Sequence, residues 1–251
     1  MMAYKVEICC GSYEDCLNAW KGGAKRVELN SALFLGGLTP SLAALTLTKQ
    51  NTGLQVIAMT RPRAAGFCYS EVEFEQLMLD AKLLLEHGAD GIAFGCLSEN
   101  FEVDIQRTNQ MVNLVHGFHQ SKEVVFHRAF DCVSNPDQAM ETLIKLKVDR
   151  VLTSGLQATA LKGRTMLKYL QEKYASQIEI LAGSGINEEN VGELIKETKI
   201  TQIHSSCKDW IQDPTTSSQQ VSYCYHEGNE YEIVSIERVQ KLLASVRKRQ
   251  K

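Results

Sequence analysis

Apolar positions along this chain alternate between two spacings. Short continuous runs read as strands, and longer stretches with apolar residues three and four apart read as helices. Strands are expected at residues 5–9, 55–60, 123–127 and 179–181. Four more close a recurring unit in which an amphipathic stretch ends, a charged step follows and a brief apolar run begins. That unit reads Gly-Gly-Ala-Lys-Arg-Val-Glu-Leu from Gly22, His-Gly-Ala-Asp-Gly-Ile-Ala-Phe from His87 and Leu-Lys-Val-Asp-Arg-Val-Leu-Thr from Leu146, with a weaker copy, Lys-Ile-Thr-Gln-Ile-His, from Lys199. Helices fill the intervals. Ser12 caps the first, with Glu14 and Asp15 in its opening turn, and Pro40 and Ser41 open the second. Ser70 precedes Glu71, Glu73 and the helical series Phe74, Leu77, Met78, Ala81, Leu84 and Leu85. Later helices are expected from near Asp104, Pro136, Ala158 and Asn187, and a closing one over 235–247. Strands alternating with helices of this length pair in parallel through right-handed crossovers. Eight such repeats in 251 residues predict an α/β protein, a single (β/α)8 TIM-type barrel spanning 1–251. Residues 208–232, polar and rich in turn formers, are expected as a loop before the last helix. This extended C-terminal segment would cover the mouth or form an oligomer contact.

A doubly wound dinucleotide-binding sheet is disfavoured because Cys9-Cys10-Gly11-Ser12-Tyr13 follows the first strand where a glycine fingerprint would be required. No nucleotide cofactor is expected. The glycine-rich steps are Gly36-Gly37 after strand two and Gly183-Ser184-Gly185 after strand seven. The second of these is either an anion cradle or a tight turn.

Composition is that of an ordinary globular chain, 44% hydrophobic and 23% charged, long enough to bury a full core. A formal net charge of -3 gives no reason to expect nucleic acid as a partner. No apolar run reaches the roughly 18 residues of a membrane span, and the stretch 1–5 has no signal-peptide layout, so a cytoplasmic protein without a membrane partner is expected. The basic tail 247–251 reads as a solvated helix end. Eight scattered cysteines, without CxxC or paired Cys/His spacing, are expected as reduced thiols rather than disulfides or a closed zinc site.

The anomaly in this pattern is polar chemistry at strand ends, where buried parallel strands should be apolar. Glu7 and Glu28 lie on neighbouring strands, so their carboxylates are expected to meet near the mouth or to pair with Arg61, Arg63 or Arg128. Arg61-Pro62-Arg63 brings two guanidiniums to the rim, suited to a carboxylate or phosphate. His127, Arg128 and Asp131 place an acid/base group, a cation and a carboxylate in one turn. Thr153, Ser154 and His204 also end strands. Read from residues alone, Glu7, Glu28, His127, Asp131 and His204 are catalytic candidates. Arg61, Arg63, Arg128, Thr153, Ser154, Gly183 and Gly185 are the anion-binding candidates. Together they describe a barrel enzyme doing acid/base chemistry on a small anionic or phosphorylated metabolite. A structural ion-pair network is the plainer alternative.

Several segments occur in the order of one known family. They are Val6-Glu7-Ile8-Cys9, Arg26-Val27-Glu28-Leu29, Gly36-Gly37-Leu38-Thr39-Pro40-Ser41, Thr60-Arg61-Pro62-Arg63, Phe67-Cys68-Tyr69-Ser70, Gly88-Ala89-Asp90-Gly91, Phe126-His127-Arg128-Ala129-Phe130-Asp131, Asp149-Arg150-Val151-Leu152-Thr153-Ser154-Gly155 and Ile203-His204. Over residues 6–206 the chain resembles the CutC copper-homeostasis family. The resemblance implies a cytoplasmic (β/α)8 barrel, oligomeric with a dimer favoured, associated with copper handling. It also implies Cu(I) as the ion bound, with Cys9 as ligand. Members proposed to bind Cu(I) carry a second cysteine where this chain has Asn30, so the partner ligand would be another thiol, from Cys10, Cys68 or Cys207, or a histidine.

Overall fold

Eight parallel strands close on themselves in sequence order, each hydrogen-bonded to the next and β8 to β1. The computed structural model describes residues 4–118 and 121–248, so residues 1–3 of the N-terminal stretch and 249–251 of the basic tail lie outside it. The elements run β1 (Lys5–Cys10), α1 (Tyr13–Lys21), β2 (Arg26–Leu29), α2 (Leu42–Asn51), β3 (Gln55–Met59), α3 (Glu71–Glu86), β4 (Gly91–Phe94) and α4 (Ile105–His116). They continue β5 (Glu123–Phe126), α5 (Pro136–Lys145), β6 (Arg150–Thr153), α6 (Arg164–Tyr174), β7 (Glu179–Ala182), α7 (Val191–Thr198), β8 (Gln202–Ser205), β9 (Lys208–Gln212), β10 (Glu230–Val234) and α8 (Ile236–Arg247). The expected caps form. Ser12 accepts from the Asp15 N–H and Ser41 from that of Ala44, while Ser70 and Glu73 make a reciprocal capping box.

Alternation along each strand divides the core. Outward residues such as Ile8, Val27, Val56, Ile92, Val124, Val151, Ile180 and Ile203 pack against the helices. Inside the barrel, Ile57, Met59, Ala93, Val125, Leu152 and Leu181 form a separate apolar layer contributed by β3 to β7. The floor beneath it is ionic. Arg150, wholly buried, meets Glu7 at 3.3 Å and Glu179 at 3.1 Å and also pairs with Glu123. Arg26 lies 2.7 Å from Glu7 and donates to Gln202 at 2.8 Å.

Two local expectations are corrected. Helix α6 begins at Arg164, not near Ala158. Gly155, at φ 71°, and Gly163 pack backbone to backbone, so closely that a Cβ on Gly155 would lie 2.3 Å from the Gly163 carbonyl oxygen. The chain between them is held as a turn and cannot start a helix. Likewise the ends of segment 208–232 are not loop: β9 and β10 pair antiparallel, with Trp210 opposite Glu232 and Ile211 opposite Tyr231. No helix among the described residues is long and apolar enough to cross a membrane.

Candidate functional site

Strand register assembles the mouth. Glu7 of β1 lies directly opposite His204 of β8, and Cys9 of β1 lies opposite Glu28 of β2. The three strands are neighbours, and their inward side chains form a continuous polar chain. His204 Nδ1 is 3.0 Å from Glu7 Oε1, and its Nε2 is 3.9 Å from Glu28 Oε2. Glu28 Oε2 also accepts from Asn30 Nδ2 at 2.9 Å and lies 3.8 Å from the Cys9 thiol. One donor atom each from Cys9, Glu28 and His204 falls within 4.8 Å of the others.

Burial sets the charge states here. It would raise the Glu7 carboxyl, but Arg26, the His204 hydrogen bond and Arg150 overcome it and hold Glu7 down to about 2. Burial raises Glu28 as well, and the nearby Glu7 adds to it against the pull of His204. For His204 burial works downward, yet Glu28 and Glu7 outweigh it and leave the ring above the ordinary histidine range. Burial, followed by the Glu28 and Glu7 carboxylates, drives the Cys9 thiol well above its usual range, so it is protonated at neutral pH.

Above this chain opens a cavity of about 620 Å³ lined by Cys9, Glu28, Met59, Arg61, Phe67, His127, Arg128, Ser184, Gly185 and His204 among others. His127 accepts the Ala129 N–H at Nδ1, 3.1 Å away, which places its own proton on Nε2. Burial first, then the Arg61 charge, lowers its pKa to about 3. An imidazole held neutral in this way carries its proton on Nε2 and can donate a hydrogen bond from there.

The remaining candidates separate. Arg61 is 6% exposed and gives its guanidinium to the Leu35, Gly37 and Ala65 carbonyls while still lining the cavity. Arg63 is not among the lining residues; it pairs with Glu73 and donates to the Cys68 carbonyl on the outer side of the loop. Asp131 accepts from Arg128 Nε at 2.8 Å, from the Thr153 and Ser154 hydroxyls and from the Ser154 and Leu156 N–H groups. Thr153 and Ser154 are thereby turned to Asp131, and neither lines the cavity. Gly185 reaches the lining and Gly183 does not; a Cβ on Gly183 would lie 2.6 Å from Leu152. Glu7 also lies beneath the mouth, outside the lining, and its partners are Arg26 and Arg150 rather than the rim arginines.

Sequence reasoning passed over Arg26 and Arg150. Both stand in the repeated charged step before Val27 and Val151 and in the family segments, but neither was singled out as a site residue. None of Cys10, Cys68 and Cys207 joins Cys9 in the lining. Cys10 faces the helix layer, Cys68 is exposed and the Cys207 sulfur sits by Ser205.

The sequence model of the CutC family matches residues 4–209. The chain belongs to the CutC family. The CutC family protein of Treponema denticola is 41% identical over 250 residues, covering 98% of this chain and 100% of the relative. The human copper homeostasis protein cutC homolog is 38% identical over 205 residues, covering 82% of this chain and 74% of that one. Among solved structures, a CutC described as a copper homeostasis protein from Streptococcus agalactiae superposes with a TM-score of 0.75 at 28% identity, over 81% of this chain and 98% of its own. N-(5'-phosphoribosyl)anthranilate isomerase from Pyrococcus furiosus reaches 0.56 at 16% identity over 98% of this chain and 99% of that one, a likeness of barrel fold alone.

Proposed function

We propose that this CutC protein handles copper by binding Cu(I) at the barrel mouth, with Cys9 and His204 as ligands and Glu28 balancing the charge. The observation that carries the reading is the convergence of these three donor groups within 4.8 Å. A thiolate and an imidazole suit a soft monovalent copper ion, and a neighbouring carboxylate favours a cation over a neutral ligand. His204 Nε2 takes the place of the thiol that Asn30 removes. Because the Cys9 thiol is protonated at neutral pH, binding must release its proton, and affinity is expected to rise with pH.

Names of relatives support the copper part of this reading. All eight cysteines are free, which fits a reducing cytoplasmic setting. A homodimer is proposed as the assembly. Anaerobic titration of Cu(I) against a chromogenic chelator tests the metal site. One equivalent is expected to be held by the wild type and lost in Cys9→Ser; equal binding by Cys9→Ser excludes Cys9 as a ligand.

A further inference from the structure

The cavity above the donor cluster is far larger than a single ion needs, and one of the cations in its lining has no acid paired with it among the described residues. Around the lining, Arg128 is paired with Asp131 at 2.8 Å, Lys208 with Glu232 at 3.4 Å, and His204 approaches Glu28 at 3.9 Å. Arg61 makes no ion pair among the described residues. Three main-chain carbonyls hold it, and its positive charge faces the cavity without a counterion. A buried cation left this way favours an anion beside it.

Two residues that line the same space each carry a buried polar atom without a partner. His127, 3% exposed, has no partner for Nε2, and Glu28, 3% exposed, has none for Oε1 among the described residues. Both residues line the cavity. The proton on His127 Nε2 is fixed by the Ala129 N–H at Nδ1, so this atom only donates. Glu28 Oε1 is a carboxyl oxygen that a hydroxyl satisfies in either protonation state, by donating to it or accepting from it. Buried polar atoms of this kind are ordinarily satisfied, and where they line a cavity the missing partner is a ligand or an ordered water. Met59, Phe67 and Leu152 supply apolar wall between them. A site of this volume with few, directional polar groups is a small-molecule pocket.

We infer that the barrel mouth is a binding site for a small hydroxylated organic anion, its charged group set toward Arg61 and His127 Nε2–H and a hydroxyl set toward Glu28. Arg61 and His127, which hold the charged group, stand outside the Cys9 donor cluster, while Glu28 is shared with it, so the anion is tested without metal. Phosphate and carboxylate forms share this chemistry, and the experiment separates them.

Metal-free protein in a chelating buffer is melted with ribose 5-phosphate, gluconate, ribose or inorganic phosphate at millimolar concentration. Either hydroxylated anion is expected to raise the melting temperature by several degrees, while ribose and phosphate alone leave it nearly unchanged. A shift with ribose 5-phosphate only assigns a phosphorylated ligand, and one with gluconate only assigns a carboxylate. His127→Phe, which keeps the packing and removes the donor, is expected to abolish the shift. As a check that needs no variant, the His127 Nε2 resonance in long-range proton–nitrogen spectra of the wild type should move on adding the same anion. Melting that responds no more to the hydroxylated anions than to phosphate, or a His127 resonance unmoved by them, overturns the proposal and leaves an ordered water as the partner of Nε2. Because no copper is present, neither result bears on the Cu(I) titration.

Discussion

Arg150 is fully buried beneath the apolar layer and answers three carboxylates, Glu7, Glu123 and Glu179. Removing one member of such a buried network leaves the others uncompensated, a loss of about 3–5 kcal/mol. Arg150→Met is therefore expected to lose about that much in urea unfolding at pH 7, far more than the small cost of an exposed ion pair. Acid exposes two other buried groups. Glu7 is depressed from 4.5 to about 2, so its contribution is complete above 4.5 and disappears as pH falls toward 2. His127 is depressed from 6.5 to about 3, so the unfolded chain takes up its proton first and stability falls as pH drops from 6.5 toward 3. His204 is raised, and its contribution runs the opposite way, present below 6.5 and lost as pH climbs through its folded value. His127→Phe should flatten the stability profile between pH 6.5 and 3, measured by urea unfolding at several pH values. An unchanged slope there would mean the imidazole is not held neutral. At this scale the sequence exposed Glu7, Glu28 and His204 because each interrupts an apolar run, whereas Arg26 and Arg150 stood at the first strand position, where a charge looks like turn chemistry. Only the register, which pairs Glu7 with Arg26 across β1 and β2, reveals their partners.

The eight barrel strands were legible as elements because a parallel strand covered on both faces must be apolar almost throughout. What a linear pattern does not show is which loops are pinned. The stretch 154–163 carries helix-forming residues such as Ala158, Ala160, Leu161 and Lys162, yet it stays a turn. Asp131 gathers the Ser154 and Leu156 N–H groups and the Thr153 and Ser154 hydroxyls, while Gly155 and Gly163 pack together. The Asp131 contacts come from a different βα unit, invisible to local propensity. Hydrogen bonds to a charged acceptor contribute about 1.5–3 kcal/mol each when unshared, and a cluster on one carboxylate contributes less than their sum. Asp131→Ala is expected to cost about 3 kcal/mol and to raise amide exchange selectively across 154–163, with β6 itself still protected. Uniform loss of protection throughout the barrel would show instead that the carboxylate supports the global fold.

At the scale of the molecule, the barrel and its C-terminal arm divide the work unequally. Helix α8 packs its Val239, Leu242 and Val246 into the helix layer, and Val234 N–H reaches Asp15 at 2.7 Å, so the return strand is tied to the barrel. Residues 213–229 beyond the ribbon have few such ties. Their principal contact with the barrel is Tyr225 against Phe34, ring centroids 4.8 Å apart, while His226 stacks on Trp210 at 3.5 Å within the arm. Gln212 and Glu230 are paired across the ribbon, so a two-residue Asn-Gly turn can replace 213–229 without moving either strand. Losing the aromatic contacts costs about 0.5–1.5 kcal/mol each. Shortening the loop returns about 2 kcal/mol of closure entropy. These nearly offset, and the replacement is expected to melt cooperatively within about 4 °C of the wild type. Lys208 and Glu232, the arm residues that line the cavity, both remain, so Cu(I) affinity should stay the same. A large fall in affinity with the melting temperature unchanged would instead show that the arm tip closes over the mouth through its contact with Phe34.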